Sequence, residues 1–363
     1  MKNLEGVNAI VLAAGVGSRL DPLTSQVPKP LVPIANVPVM EHIIRLLKKH
    51  QIKNIHANLH YMPEKIADYF GDGSQLGVNL QFKYEPQLSG DAGGVRACRQ
   101  FLMGGTFVVL MGDLLTDADL TRIVREHKEK KAIASIAVKQ MPQEELNRFG
   151  VVVTDNQGFI KGFQEKPEAK DALSDRVSTG IYVLEPEVFH HMPATGEYGF
   201  GRQLFPELIE KGLPVLGIDV EGYWSDVGTI EQYRQANFDA ARRRVNLGLP
   251  DAKTYRQNGK LTVGERSVIE YGCDIDGSLV MGTNSRLGAG SVVLGNVIVG
   301  DNCIIEPGTV LKDCVIWSNA VVRSGAHVEH SVICSGSVVP NETRHFEVNY
   351  VSAEEAAEEM QAA

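Results

Sequence analysis

The residues best suited to chemistry gather early in the chain. An apolar run over 7–14 leads directly into Gly15-Val16-Gly17-Ser18-Arg19. Glycines just past a strand let backbone N–H groups approach a phosphate closely. Two familiar phosphate loops are excluded. No Gly-Lys-Ser/Thr follows, as a Walker loop needs, and Leu20 stands where a dinucleotide fingerprint needs its third glycine. Pro22, Pro28, Pro30, Pro33 and Pro38 then forbid an immediate long helix and keep the segment extended. The result is a long, stiff loop holding two cations, Arg19 and Lys29. A guanidinium fork suits a triphosphate, and an ammonium supplies a point charge. Asp113 follows Gly112 at the end of a second apolar run, and Asp226 follows Trp224 before Val-Gly-Thr. Taken alone, each aspartate is as readily a turn or cap residue as a metal ligand.

The elements that must position these groups read as strands alternating with helices. Strand patterns cover 7–14, 54–60, 80–85, 106–111 and 133–139, and helical patterns cover 39–50, 63–70, 94–102 and 120–130. This alternation predicts parallel βαβ units in a doubly wound α/β sheet, with ligands beyond the carboxyl ends of the strands. A further helix is expected over 236–244 and a linker over 246–260.

From Val263 the period changes. An apolar residue recurs every six positions through Ile269, Ile275, Met281, Leu287, Val293, Val299, Ile305, Leu311 and Trp317. A helix repeats near 3.6 and a simple strand near 2, so a six-residue repeat points to a parallel β-helix. The register blurs after Arg323, and about four coils fit before Pro340. The remainder, 341–363, is expected as a tail with an acidic end at Glu354, Glu355, Glu358 and Glu359. The boundaries expected are 1–245, 246–260, 261–340 and 341–363.

Composition bounds the function. The chain has 363 residues, 43% hydrophobic and 22% charged, as a globular protein with a proper core does. Lys and Arg number 36 against 45 Asp and Glu, a formal net charge of −9. That balance disfavours nonspecific binding to nucleic acid or to an anionic membrane. No apolar run approaches the ~20 residues that span a bilayer. The five cysteines form no C-x-x-C pair, so a disulfide framework or zinc site is not expected and a reducing cytoplasm fits. His56 and His60 lie in a strand pattern and do not make a helical zinc pair. His190 and His191 are expected to close a helix. Arg242, Arg243 and Arg244 read as a solvated helix end.

The motifs 12–24 (LAAGVGSRLDPLT) and 28–33 (PKPLVP) resemble the signature of sugar-1-phosphate nucleotidyltransferases. The resemblance continues at Gly-Asp-Ala-Gly-Gly (90–94), Met-Gly-Asp (111–113), Phe-Gly-Val-Val (149–152), Glu-Lys-Pro (165–167), Ser-Thr-Gly-Ile-Tyr (178–182) and Trp-Ser-Asp-Val-Gly-Thr (224–229). The second half is similar to the left-handed β-helix of hexapeptide repeats that some members carry. The departures are Ser18 for Thr, Asp21 for Arg or Tyr, and Asp91 for Thr.

The resemblance implies a Rossmann-like nucleotidyltransferase domain that joins an NTP to a sugar 1-phosphate and releases pyrophosphate. It implies in-line attack on the α-phosphate, catalysed by positioning and charge stabilisation. It assigns Arg19, Lys29, Lys166, Asp113 and Asp226 to catalysis, with Mg²⁺ held by Asp113 and Asp226. Leu12, Ala13, Gly15, Gly17, Ser18, Glu85, Gly90 and Gly112 are assigned to the nucleotide, and Gly150, Glu165, Lys166, Thr179 and Gly180 to the sugar phosphate. The layout favours GTP with mannose 1-phosphate, with UTP or dTTP and glucose 1-phosphate as the alternative. A non-catalytic regulatory homologue and a bifunctional enzyme with a β-helix acyltransferase are further alternatives. Self-association through the β-helix is expected.

Overall fold

The computed structural model describes residue 4 and residues 6–251, 253–255 and 259–350. The acidic end expected over 354–359 lies outside the described residues. The chain divides into two compact units, Met1–Val16 with Met40–Asp226, and Gly17–Val39 with Val227–Ala363. The expected boundary at 245 differs from this division, because the proline-rich segment after Val16 and the helix after Asp226 both group with the C-terminal half.

The first unit is built on a mixed sheet. Its parallel half runs Asn79–Tyr84, Asn54–Leu59, Asn8–Leu12 and Phe107–Met111 in spatial order. Chain order reverses between Asn8–Leu12 and Phe107–Met111, which opens a crevice at their carboxyl ends. Beyond them Arg176–Leu184 runs antiparallel to both Phe107–Met111 and Ala134–Gln140. The first four expected strands thus form the parallel ladder, whereas the fifth, expected over 133–139, does not join it: Ala134–Gln140 pairs antiparallel with Arg176–Leu184 and parallel with Val215–Asp219. Val108 and Val109 are fully buried, as both faces of the central strands are covered. The expected helix over 94–102 is two, Asp91–Ala97 and Arg99–Leu102. His190 and His191 end a 3-10 helix, Pro186–His191. His56 lies against the Phe101 ring, with centroids 3.6 Å apart.

In the second unit the strands stack as parallel coils. Asp274 pairs with Val292, Val292 with Val310, Val310 with His327 and His327 with Arg344. The first two steps are eighteen residues, three hexapeptides, and the later steps are seventeen. The missing residue falls at the corner formed by Asp313, where the register slips between Leu294 and Val297. Val299 therefore faces Ile316, and the tenth apolar repeat belongs to Ile316 instead of Trp317. Ile316, Val322, Val328, Ile333 and Val339 continue the interior and are all fully buried. The coils do not stop at Pro340, since Arg344–Phe346 and Asn349–Tyr350 add to the stack. Nor is 246–260 wholly linker: Lys253–Tyr255 pairs antiparallel with Gly259–Val263, which joins the first full coil. That antiparallel strand covers an edge the coil would leave open.

The helix Ile230–Ala241 belongs to this unit. Thr229 caps it, its Oγ1 accepting from the Gln232 N–H. Displaced from the coil interior, Trp317 donates from Nε1 to the Tyr233 hydroxyl at 2.7 Å. Of the three arginines expected as a solvated end, Arg242 and Arg244 are exposed, and all three are also hydrogen-bonded. Arg242 donates to Asn296, Arg243 to Thr262 and Arg244 to Asp239.

Candidate active site

The candidate site of the first unit lies at the strand-order reversal. Leu12 and Met111 end neighbouring strands, and the Gly112 N–H donates to the Leu12 carbonyl at 2.8 Å. A Cβ on Gly112 would come within 2.8 Å of that same carbonyl oxygen, so only glycine lets the two strand ends close here. Asp113 leaves this point half-buried. The short strand Leu114–Thr116 then pairs antiparallel with Trp224–Asp226, and Asp226 stands opposite Leu114. The two aspartates thus flank a single rung, although 113 residues separate them in sequence.

Neighbouring groups hold Asp226. Arg148 donates from Nη2 to its Oδ1 at 2.8 Å and from Nη1 to Glu145 Oε2 at 2.7 Å. The guanidinium also lies over the Phe149 ring, 4.8 Å from its centroid, and Phe149 meets Trp224 edge-on. Trp224 Nε1 donates to the Thr179 carbonyl at 2.8 Å. The Thr179 hydroxyl is 1% exposed and donates to the Ala137 carbonyl at 2.7 Å, so Thr179 serves as a strut under Trp224.

A second chain of bonds links three strand ends. The Ala13 N–H donates to Asn58 Oδ1 at 2.9 Å, and Asn58 Nδ2 donates to Glu85 Oε1 at 2.6 Å. Glu85 Oε2 accepts from the Ser89 N–H and hydroxyl. Glu85 therefore braces the turn before Gly90 through Oε2 and is tied to Asn58 through Oε1. Gly94 makes room for the chain, since a Cβ there would fall 2.4 Å from Asn58 Nδ2. Gly90 has φ +80°, and a Cβ on it would strike the Tyr198 carbonyl. Asp91 Oδ1 accepts from the Phe200 and Ala92 N–H groups, both at 2.7 Å. Burial pushes the Asp91 carboxyl above the ordinary aspartate range, opposed by those N–H groups and by Lys166.

Glu165 and Lys166 follow from the strand Ile160–Glu165. Lys166 has φ +48°, a left-handed conformation that side chains rarely adopt outside functional or turn positions. Its N–H donates to the Phe149 carbonyl at 3.1 Å. Burial raises the Glu165 pKa, Lys166 opposes the shift and Asp91 adds to it. A Cβ on Gly201 would fall within 2.1 Å of Glu165 Oε2, and one on Gly150 within 2.3 Å of the Phe163 ring. Gly180, at φ +75°, accommodates Met111. Gly15 is exposed at the mouth of the first strand.

Gly17, Ser18, Arg19 and Lys29 belong to the second unit. Gly17 sits at φ +80°, with its carbonyl 3.0 Å from the Thr24 hydroxyl. That hydroxyl also donates to Asp21 Oδ1 at 2.8 Å. A Cβ on Gly17 would come 3.0 Å from the Lys29 Cβ, so the glycine packs on the lysine stem. Lys29 is 9% exposed, and Arg19 and Ser18 are exposed.

A family profile described as nucleotidyl transferase matches residues 8–243, and one described as GMPPB C-terminal domain matches 275–357. The chain belongs to the nucleotidyl transferase family. Among curated relatives of this nucleotidyltransferase, a UTP–glucose-1-phosphate uridylyltransferase of Synechocystis is 36% identical, covering 90% of this chain and 87% of its own. A mannose-1-phosphate guanylyltransferase of Mycobacterium tuberculosis is 29% identical, covering 89% and 83%. A Bacillus anthracis crystal structure, assigned as a glucose-1-phosphate thymidylyltransferase, superposes with a TM-score of 0.60 at 28% identity, covering 66% of this chain and 97% of its own. The nucleotidyltransferase thus belongs among the sugar-1-phosphate nucleotidyltransferases, with both halves represented in its relatives.

Nucleotidyltransferases of this family generally use a divalent metal. No cluster of three or more His, Cys, Asp or Glu side chains suited to a metal occurs among the described residues. The carboxylates of Asp113 and Asp226 are hard oxygen donors of the kind a divalent cation takes one or two at a time, with water and substrate phosphates completing the shell. Asn58, Arg148 and Gly201 carry no motif of their own. Only their contacts with Ala13, Asp226 and Glu165 bring them into the site.

Proposed function

We propose that the enzyme transfers a nucleotidyl group from an NTP to a sugar 1-phosphate and releases pyrophosphate. The observation carrying this reading is the pairing of Asp226 with Leu114, the residue next to Asp113, at the strand-order reversal. Magnesium held by these two carboxylates supplies Lewis-acid charge neutralisation for the phosphates. Arg148 fixes one oxygen of Asp226 and so limits the orientations of that ligand. Leu12, Ala13 and Gly112 offer backbone at the reversal to the nucleotide, and Gly90 with Glu85 shapes its base side. Glu165 accepts from sugar hydroxyls and Lys166 binds the sugar phosphate, which attacks the α-phosphorus. Arg19 and Lys29 take the triphosphate and the charge that builds on the departing pyrophosphate.

GTP with mannose 1-phosphate is the pair we assign, supported by the C-terminal match to the GMPPB domain. The 36%-identical Synechocystis relative favours the second reading, UTP with glucose 1-phosphate. Pyrophosphate release with four NTPs, each against mannose and glucose 1-phosphates, separates the two. GTP with mannose 1-phosphate giving the highest kcat/KM supports the first, and UTP with glucose 1-phosphate the second.

A reducing, cytoplasmic setting is supported by five buried cysteines without disulfides. Self-association through the β-helix is supported by its outward ladder Val268, Arg286, Ile304, Val321 and Val338, in which Val268 and Ile304 are 54% and 46% exposed. Sedimentation at micromolar concentration tests it, and a species of one chain alone would contradict it.

A further inference from the structure

The strands Pro33–Ile34 and Val37–Pro38 form a hairpin whose two turn residues, Ala35 and Asn36, have φ +48° and +68°. A two-residue hairpin of this twist needs two left-handed residues. Asn36 tolerates that conformation, whereas Ala35 carries a Cβ that opposes it. Such backbone persists only where its surroundings over-determine it.

Two asparagines do so. The Ala35 N–H donates to Asn237 Oδ1 at 2.9 Å, and Asn237 is fully buried on the helix Ile230–Ala241. Asn237 Nδ2 in turn donates to the Tyr233 carbonyl at 3.0 Å. Asn36 Nδ2 donates to the Val299 carbonyl at 2.7 Å, at the end of the coil strand Val292–Val299. That carbonyl also accepts the Gly282 N–H of the preceding coil. The hairpin is therefore bonded both to the helix and to the β-helix ladder itself.

Backbone hydrogen bonds connect Lys29 to this hairpin. The Val32 N–H donates to the Lys29 carbonyl at 3.1 Å, and the Val32 carbonyl accepts the Val39 N–H at 3.0 Å. Pro28, Pro30 and Pro33 remove most of the remaining freedom.

We propose that Asn36 is a positioning residue for Lys29, and that the β-helix coil at Val299 thereby takes part in binding the nucleoside triphosphate. The inference rests on the reading of Lys29 as a triphosphate contact. Loss of the bond to Val299 lets the hairpin shift and carries the Lys29 ammonium away from its place.

The test uses the full chain and the substrate pair that the wild type turns over. Asn36→Gly keeps the left-handed turn and deletes the donor. Asn36→Asp keeps the turn preference and also cannot donate. In both, the NTP KM rises by about fivefold or more while the sugar 1-phosphate KM changes by less than about twofold, and amide exchange over 33–38 quickens. An NTP KM unchanged in either folded variant overturns the proposal. So does a fall in kcat alone with both KM values kept, because that is loss of folded enzyme. Lys29→Met in the same assay separates the two failures: an NTP KM unchanged there overturns the underlying reading of Lys29, whereas an NTP KM raised in Lys29→Met but unchanged in either Asn36 variant overturns the positioning proposal alone.

Discussion

Arg148 and Asp226 are bound through a single charge-assisted hydrogen bond of 2.8 Å, with 27% and 17% of their side chains exposed. Arg148 is further fixed by Glu145 and by the face of Phe149. The guanidinium thus sets the direction of a carboxylate that the proposed chemistry needs. Arg148→Ala should lower kcat about tenfold, equivalent to ~1.4 kcal/mol of transition-state stabilisation. Arg148→Lys should recover only part, since an ammonium lacks the fork that spans Asp226 and Glu145. Steady-state kinetics at saturating magnesium check both.

Asn58 connects Ala13 to Glu85 and is 3% exposed. Asn58→Ala takes the partner from the Ala13 N–H and from Glu85 Oε1 at once. The expected destabilisation is about 2–4 kcal/mol by urea unfolding, together with a higher NTP KM. Asn58→Asp should be no better, because it sets a second carboxylate against Glu85.

Asp91 keeps two N–H groups satisfied, while its own burial favours the neutral form. Asp91→Asn retains the acceptor and removes the charge. A carboxyl whose folded pKa is raised costs stability above that pKa and costs none below its unfolded value. Asp91→Asn should therefore match the wild type in thermal midpoint near pH 3.5 and exceed it at pH 7.5, the gap opening as pH rises past about 4. Asp91→Ala loses both bonds and should lie below the wild type by about 1–2 kcal/mol near pH 3.5, the deficit shrinking as pH rises because it too removes the buried charge.

The element order of the first unit was legible as far as residue 139, because apolar runs and helical periods alternate cleanly there, but the strands Gly150–Thr154, Ile160–Glu165, Arg176–Leu184 and Val215–Asp219 beyond it were not read. The six-residue repeat was equally plain up to Leu311. It misled at Trp317 because one residue is absent at the Asp313 corner, and a periodic count cannot see a deletion that a bend absorbs. The same seventeen-residue step concealed the coils beyond Pro340. Asp113 and Asp226 stand out in the sequence through motifs. Asn58, Arg148 and Asn237 do not, because their roles arise from hydrogen bonds between segments 27 to 202 positions apart. The grouping of the proline-rich loop with the C-terminal half is non-local in the same way.

The displaced Trp317 offers a direct readout of its own. Burial raises the Tyr233 pKa, so its hydroxyl stays neutral and accepts from Trp317 Nε1. Tyr233→Phe leaves that indole N–H buried without its partner and should cost about 1–3 kcal/mol. Adding Trp317→Phe removes the orphaned donor, so the double variant should lose less than the sum of the two singles. Urea unfolding of the three variants gives the coupling energy.

The most direct measurement is pyrophosphate release as magnesium is titrated, in the wild type and in Asp113→Asn and Asp226→Asn. The account predicts turnover that vanishes without a divalent cation and falls by about a hundredfold or more in each variant. Wild-type rates that persist in EDTA, or variants that retain full turnover at the same magnesium concentration, would contradict it.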